Sequence, residues 1–110
     1  MSDLIYTATG RNGSVELYKN RILIKKKLNA LKRMLVSGDK EIYLDTITSV
    51  NFKNANKLTL GFIQFETKDN KGKLKKGSLL SGPNDEYSVI FTSKQQQVFE
   101  ELKQKINELR

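Results

Sequence analysis

Hydrophobic positions alternate with polar ones over short stretches along most of this chain, then switch near the C-terminus to a spacing of three and four. Val15-Glu16-Leu17-Tyr18 alternates, and Arg21-Ile22-Leu23-Ile24-Lys25 follows after the polar pair Lys19-Asn20. Two such runs across so short a polar turn predict a β-hairpin. Gly10 and Gly13, flanking Arg11-Asn12, mark a bend just upstream. Further on, Ile42 and Leu44 share one face of a strand, and Val50 and Phe52 share one face of the next. The β-branched residues between them favour extended backbone. Asn54-Ala55-Asn56-Lys57 is a polar turn. Thr59 to Thr67 is the clearest strand; Ile63 and Phe65 bracket Gln64, which alternation aims outward. Leu79-Leu80 reads as a short strand between a charged, Gly-containing loop and the turn Ser81-Gly82-Pro83-Asn84-Asp85. Tyr87 to Thr92 is the last strand.

After Thr92 the period becomes helical. Ser93 is an expected N-cap, with Gln96 three residues on completing a capping-box pattern. Val98, Phe99, Leu102, Ile106 and Leu109 make an apolar stripe, with Glu100, Glu101, Lys103, Lys105 and Glu108 on the other side. The pattern predicts an amphipathic helix over about 94–109 that docks on a sheet. Strands within about 4–92 followed by one terminal helix place the chain in the α+β, mainly β class. One domain over 1–110 is the expected organisation, since no repeat, long linker or low-complexity tract divides it.

The connector LIKKKLNALKRML, residues 23–35, fits neither pattern cleanly. Leu28, Leu31 and Leu35 fall at i, i+3 and i+7, which is a turn or two of basic amphipathic helix or an apolar loop with charged edges. A helix this short is marginal alone in water. Leu28, Leu31, Met34, Leu35 and Val36 are therefore a candidate oligomer interface, or else they complete the chain's own core.

Chemistry narrows the function further. There is no histidine and no cysteine. The commonest general base, the commonest metal ligand and every thiolate site are missing together. Asp85 and Glu86 are adjacent, so a strand turns them to opposite faces. Asp69, Asn70, Asn84 and Asp85 lack calcium-loop spacing. The expectation is a noncatalytic protein with no cofactor, no metal and no small-molecule substrate. No apolar run approaches the roughly 20 residues of a spanning helix, and the start lacks the pattern of a secretory signal. The expected location is the cytoplasm, with the inner face of the membrane as the surface its charge would seek.

The net charge is +8. Such a field concentrates phosphates, anionic lipids or acidic proteins. Two clusters are candidate anion-binding groups: Lys19, Arg21, Lys25, Lys26, Lys27, Lys32 and Arg33 in the first half, and Lys71, Lys73, Lys75 and Lys76 in the second. Nucleic-acid binding on a sheet adds stacking aromatics to such charge, and Tyr18, Tyr43 and Phe62 are the outward candidates.

Five pieces in order carry a resemblance. They are Gly38-Asp39-Lys40-Glu41-Ile42-Tyr43-Leu44, Ile47 through Lys53, Gly61-Phe62-Ile63-Gln64-Phe65, Asn84 through Phe91, and Phe99-Glu100-Glu101-Leu102. Over about residues 10–109 this string resembles the bacterial PH-like domains, in particular an uncharacterised group that precedes short C-terminal helical modules. Tyr87 departs from that pattern, which has asparagine there. The resemblance implies a PH-like barrel of about seven bent antiparallel strands capped by one C-terminal α-helix. It further implies an interaction module, with protein binding or homo-oligomerisation first, and an anionic membrane surface or nucleic acid second.

Overall fold

The computed structural model describes residues 4–26, 39–70 and 86–110. The described strands are β1 (Leu4–Thr9), β2 (Gly13–Tyr18), β3 (Arg21–Lys26), β4 (Lys40–Tyr43), β5 (Ile47–Lys53), β6 (Gly61–Thr67) and β7 (Ser88–Phe91), followed by the helix α1 (Gln96–Leu109). All strand pairs are antiparallel. They form a four-stranded sheet in the order β1-β2-β3-β4 and a three-stranded sheet in the order β5-β6-β7. Seven antiparallel strands and a terminal helix are as expected; among the described residues they do not close into a barrel. The expected short strand at Leu79-Leu80 lies outside the described residues.

Alternation explains the four-stranded sheet. Leu17 pairs with Ile22 across the two-residue turn Lys19-Asn20. Val15, Leu17, Ile22, Ile24 and Ile42 point inward and are buried, while Glu16, Arg21, Leu23, Lys25 and Glu41 point outward. A 3-10 turn, Leu44–Thr46, then carries the chain into the second sheet. In β5 the register shifts between Ile47 and Ser49. That extra residue changes the parity of the strand. Ile47 is buried, yet Val50 and Phe52 also pack on the core, which simple alternation forbids.

Gln64 corrects an expectation. It lies opposite Ile63 and Phe65 but is buried, not exposed, with only 6% of its surface accessible. Its side chain accepts from Asn51 Nδ2 at 3.2 Å, and Ser88 flanks it on β7. Buried amides are retained where such partners exist.

The sheets meet along two gaps. Between β1 and β5 lies α1. Phe99, Leu102 and Ile106 are its buried stripe. The Phe99 ring stacks on Phe91 with centroids 4.7 Å apart, and Phe91 in turn meets Phe52 at 5.4 Å. Polar groups tether both ends of the helix. Gln96 Oε1 accepts from the Ala55 N–H at 2.6 Å, and an Arg110 guanidinium nitrogen donates to Ile47 O at 3.2 Å. On the other flank Tyr6 donates to Glu101 at 3.0 Å. The helix starts later than the sequence pattern indicates. Gln95 precedes the first helical residue without a capping bond; its Oε1 accepts instead from the Thr92 N–H at 2.9 Å, and the Ser93–Gln96 capping box does not form.

Across the other gap, β7 has its outward backbone groups taken up. Arg11 N–H donates to Ile90 O at 2.8 Å, Ile90 N–H donates to Asn12 Oδ1 at 2.9 Å, and Lys26 Nζ donates to Ser88 O. Lys40, from β4, sits 4.8 Å over the Tyr87 ring and 3.7 Å from a Glu86 carboxylate oxygen. An edge so occupied is not open to strand addition. Gly10 makes the close approach feasible, since a Cβ there would strike Ile90 O and Val89.

These contacts set expected stabilities. Gly10→Ala should cost about 1–3 kcal/mol through that clash, and Phe99→Ala about 3–5 kcal/mol through an unfilled cavity. Urea unfolding midpoints measure both, and a Gly10→Ala midpoint equal to the parent's would remove the close-approach account.

Candidate functional site

The outer face of the four-stranded sheet gathers most of the described candidate residues. Cross-strand pairing places Leu4, Tyr18, Arg21 and Tyr43 in one row, and Glu16, Leu23 and Glu41 in the next. Lys25 follows beside Ser14. Directly opposed side chains on one face touch, and here they neutralise one another. Arg21 Nε lies 3.1 Å from Glu41 Oε2, and its guanidinium sits 4.5 Å over the Tyr18 ring. Lys25 Nζ lies 3.4 Å from Glu16 Oε2, and the Tyr18 hydroxyl donates to the other Glu16 oxygen at 2.8 Å. The carboxylates Glu16 and Glu41 thus balance the cations Arg21 and Lys25.

The first basic cluster is therefore divided by the fold. Lys19 is exposed in the hairpin turn; Arg21 and Lys25 hold acidic partners on the outer face; Lys26 turns to the other side of the strand and binds Ser88 O. Lys27, Lys32 and Arg33 lie outside the described residues, as do Lys71, Lys73, Lys75 and Lys76. So do Leu28, Leu31, Met34, Leu35 and Val36, the candidate oligomer interface. The three aromatics weighed for base stacking do not form one platform. Tyr43 is half exposed on the four-stranded sheet, Tyr18 is nearly covered by its neighbours there, and Phe62 stands on β6 in the other sheet. Burial of Tyr18 was not legible from alternation, because its cover comes from Arg21 on the same face.

Among the described residues three groups titrate away from their ordinary values. The Tyr18 phenol is raised above 10.0, chiefly because it donates to Glu16. Tyr6 is raised by burial first and by its bond to Glu101 second. The Lys40 ammonium is raised chiefly by its contact with Tyr87; burial opposes this, and Glu86 adds a smaller upward effect.

Acidic residues are dispersed. Among the described residues no three His, Cys, Asp or Glu side chains converge to hold a metal ion. Asn70, weighed with Asp69 for a cation, is buried and engaged in local structure. Its Oδ1 accepts from the Thr67 N–H at 2.6 Å and its Nδ2 donates to Phe65 O at 3.0 Å, which closes the turn after β6. A shallow groove runs between α1 and β5, lined by Phe52, Asn54, Lys103 and Asn107; the Lys103 ammonium lies 5.2 Å over the Phe52 ring there. No described helix is long and apolar enough to cross a membrane.

The three raised values act together at alkaline pH. A group whose pKa is higher when folded contributes stability that is complete below its unfolded value and disappears as pH rises through the folded one. Stability should therefore fall as pH climbs past about 10, where the tyrosines and Lys40 begin to lose protons. Glu16→Gln should bring the Tyr18 titration, followed by phenolate absorbance, back toward the ordinary value. A curve that does not move would dissociate the shift from Glu16.

A family model matches residues 19–107, with the description Domain of unknown function (DUF4429). No curated protein and no solved structure matches the chain. The matched span takes in the candidate face from Lys19 onward, both sheets except β1 and β2, and nearly all of α1, and the chain belongs to the DUF4429 family of domains of unknown function.

Proposed function

We propose that the chain is a single noncatalytic PH-like domain that works as an interaction module and binds protein, first of all further copies of itself. Seven antiparallel strands followed by one C-terminal helix is the arrangement the PH-like resemblance implies, and it supports that reading of the fold. Fold alone does not assign a role. The observation that carries the role is the composition of the outer face of the four-stranded sheet.

On that face Leu4 and Tyr43 are each 49% exposed at the ends of a row that holds Tyr18 and Arg21 between them. Tyrosine and arginine are enriched among the residues that dominate protein interfaces. Opposite charges are already paired there, so covering the face leaves no charge without a partner. An anion-binding surface has the reverse character, with cations left uncompensated. The carboxylates of Glu16 and Glu41 work against that on this face.

Light scattering of the full chain at two concentrations tests self-association. The expected result is a mass above 12.6 kDa that grows with concentration. Tyr43→Glu should reduce it if the sheet face is the contact. Leu31→Asp should reduce it if the contact is the apolar set at 28–36. A mass of 12.6 kDa at both concentrations would sink the self-association reading.

A further inference from the structure

One end of the molecule has the opposite composition to the sheet face. Three connections come together there: Gly10–Asn12 between β1 and β2, residues 54–60 between β5 and β6, and residues 92–95 before α1. The bonds from Arg11 and Asn12 to Ile90 hold the first against β7. The bond from Ala55 N–H to Gln96 holds the second against the start of the helix. Arg11, Lys57, Thr59, Leu60, Ile90 and Ser93 line one shallow depression between them.

The tip of the middle connection is Leu58, which is 84% exposed, the most exposed large hydrophobic side chain among the described residues. It is held out by local bonding. Asn56 Oδ1 accepts from both the Leu58 and the Thr59 N–H groups at 2.8 Å, and the Asn56 N–H donates to Thr59 O at 3.0 Å. That tight turn fixes the backbone on either side of Leu58. Beside it, the Thr59 hydroxyl is enclosed and has no hydrogen-bond partner, the one such buried side-chain atom among the described residues.

Charge distinguishes this end from the rest of the surface. The three connections carry Arg11, Lys57 and Lys94, all exposed, and neither aspartate nor glutamate. None of the three has an ion-pair partner among the described residues, unlike Arg21, Lys25 and Lys40. An aliphatic side chain that projects from a tight turn, with Arg11 and Lys57 on the same depression and Lys94 next in sequence to its Ser93, matches a surface with anionic headgroups outside and hydrocarbon beneath. Single-stranded nucleic acid is a poorer match, because its bases stack on aromatic rings and the tip is a leucine.

We propose that this end docks on an anionic bilayer, with Leu58 entering the headgroup–acyl boundary and Arg11, Lys57 and Lys94 lying against the headgroups. The contact uses none of the residues of the sheet face. It stands or falls separately from self-association and from the PH-like reading.

The chain has no cysteine, so Leu58→Cys gives a single attachment point for an environment-sensitive fluorophore. Asp45→Cys is the control, in the exposed 3-10 turn at the opposite end of β5. Vesicles of phosphatidylcholine alone are compared with vesicles that also contain phosphatidylserine. The expected result is a blue-shifted emission from the label at 58, on the anionic vesicles only, and none from the label at 45. In sedimentation of the unlabelled chain, Leu58→Ala should weaken binding roughly ten-fold. Each of Arg11→Gln, Lys57→Gln and Lys94→Gln should weaken it about five-fold. Lys19→Gln, at the hairpin turn, should leave it unchanged.

Sedimentation with anionic vesicles but no shift at 58 would place the contact elsewhere on this basic chain and overturn the proposal. So would the absence of binding to either vesicle. Salt-sensitive binding to an oligonucleotide alone would reassign the cations to nucleic acid.

Discussion

Two sheets that share no ladder hydrogen bond among the described residues leave gaps between their edges, and filling those gaps is the constraint on which the rest of the structure depends. An unfilled gap would expose Phe65, Phe91 and Val89, all fully buried, to water. The chain meets the constraint in two ways. Between β1 and β5 a fourteen-residue helix, about 21 Å long, lays Phe99, Leu102 and Ile106 into the opening. Along β7, which packs against β2 and β3, side chains and one turn suffice. Arg11, Asn12 and Lys26 take the outward backbone groups of β7, and Lys40 rests on Tyr87. The helix is therefore part of the wall, and the aromatic run Phe52–Phe91–Phe99 is where it is joined.

That division explains where charge is free. Cations placed on the sheet face or at the narrow gap are engaged: Arg21 and Lys25 by carboxylates, Lys26 by a carbonyl, Lys40 by a ring and a carboxylate. Cations on the connections near Leu58 have no ion-pair partner among the described residues, and those connections themselves contain no acid. A net charge of +8 is thus not spread evenly in its effect. One face offers paired charge and apolar rings, and one end offers unpaired charge and a single leucine. The first suits a protein surface, where unpaired charge is costly to bury. The second suits an anionic one, where the pairing is supplied by the partner.

Alternation along β2, β3, β6 and β7 was legible because inward residues there are aliphatic or aromatic without interruption. The β2–β3 hairpin and the helical stripe were legible for the same reason. The misses share a cause. Gln64 and Tyr18 lie on the faces that alternation assigns to solvent, yet neighbouring strands and the Arg21 side chain cover them. The bulge in β5 let Ile47 and Val50 both face inward, which no two-residue period permits. Asn70 read as part of a charged loop, while its amide closes the turn after β6. The expected cap at Ser93 is not formed: the helix begins at Gln96 after Gln95, which makes no capping bond, and the Gln96 side chain is engaged by Ala55 instead.

By itself the sequence determined the class of the protein: short antiparallel strands, one terminal amphipathic helix, and no histidine or cysteine chemistry. Those properties follow from local periodicity and composition, which need no knowledge of what lies across the fold. Only the tertiary structure decided that the strands divide four and three, that the helix spans the gap between β1 and β5, and that some lysines and arginines are neutralised while others are not. The reason is distance. Arg21 and Glu41, or Arg11 and Ile90, are far apart along the chain and adjacent in space. Coulomb attraction and hydrogen bonding depend on the second separation and not the first.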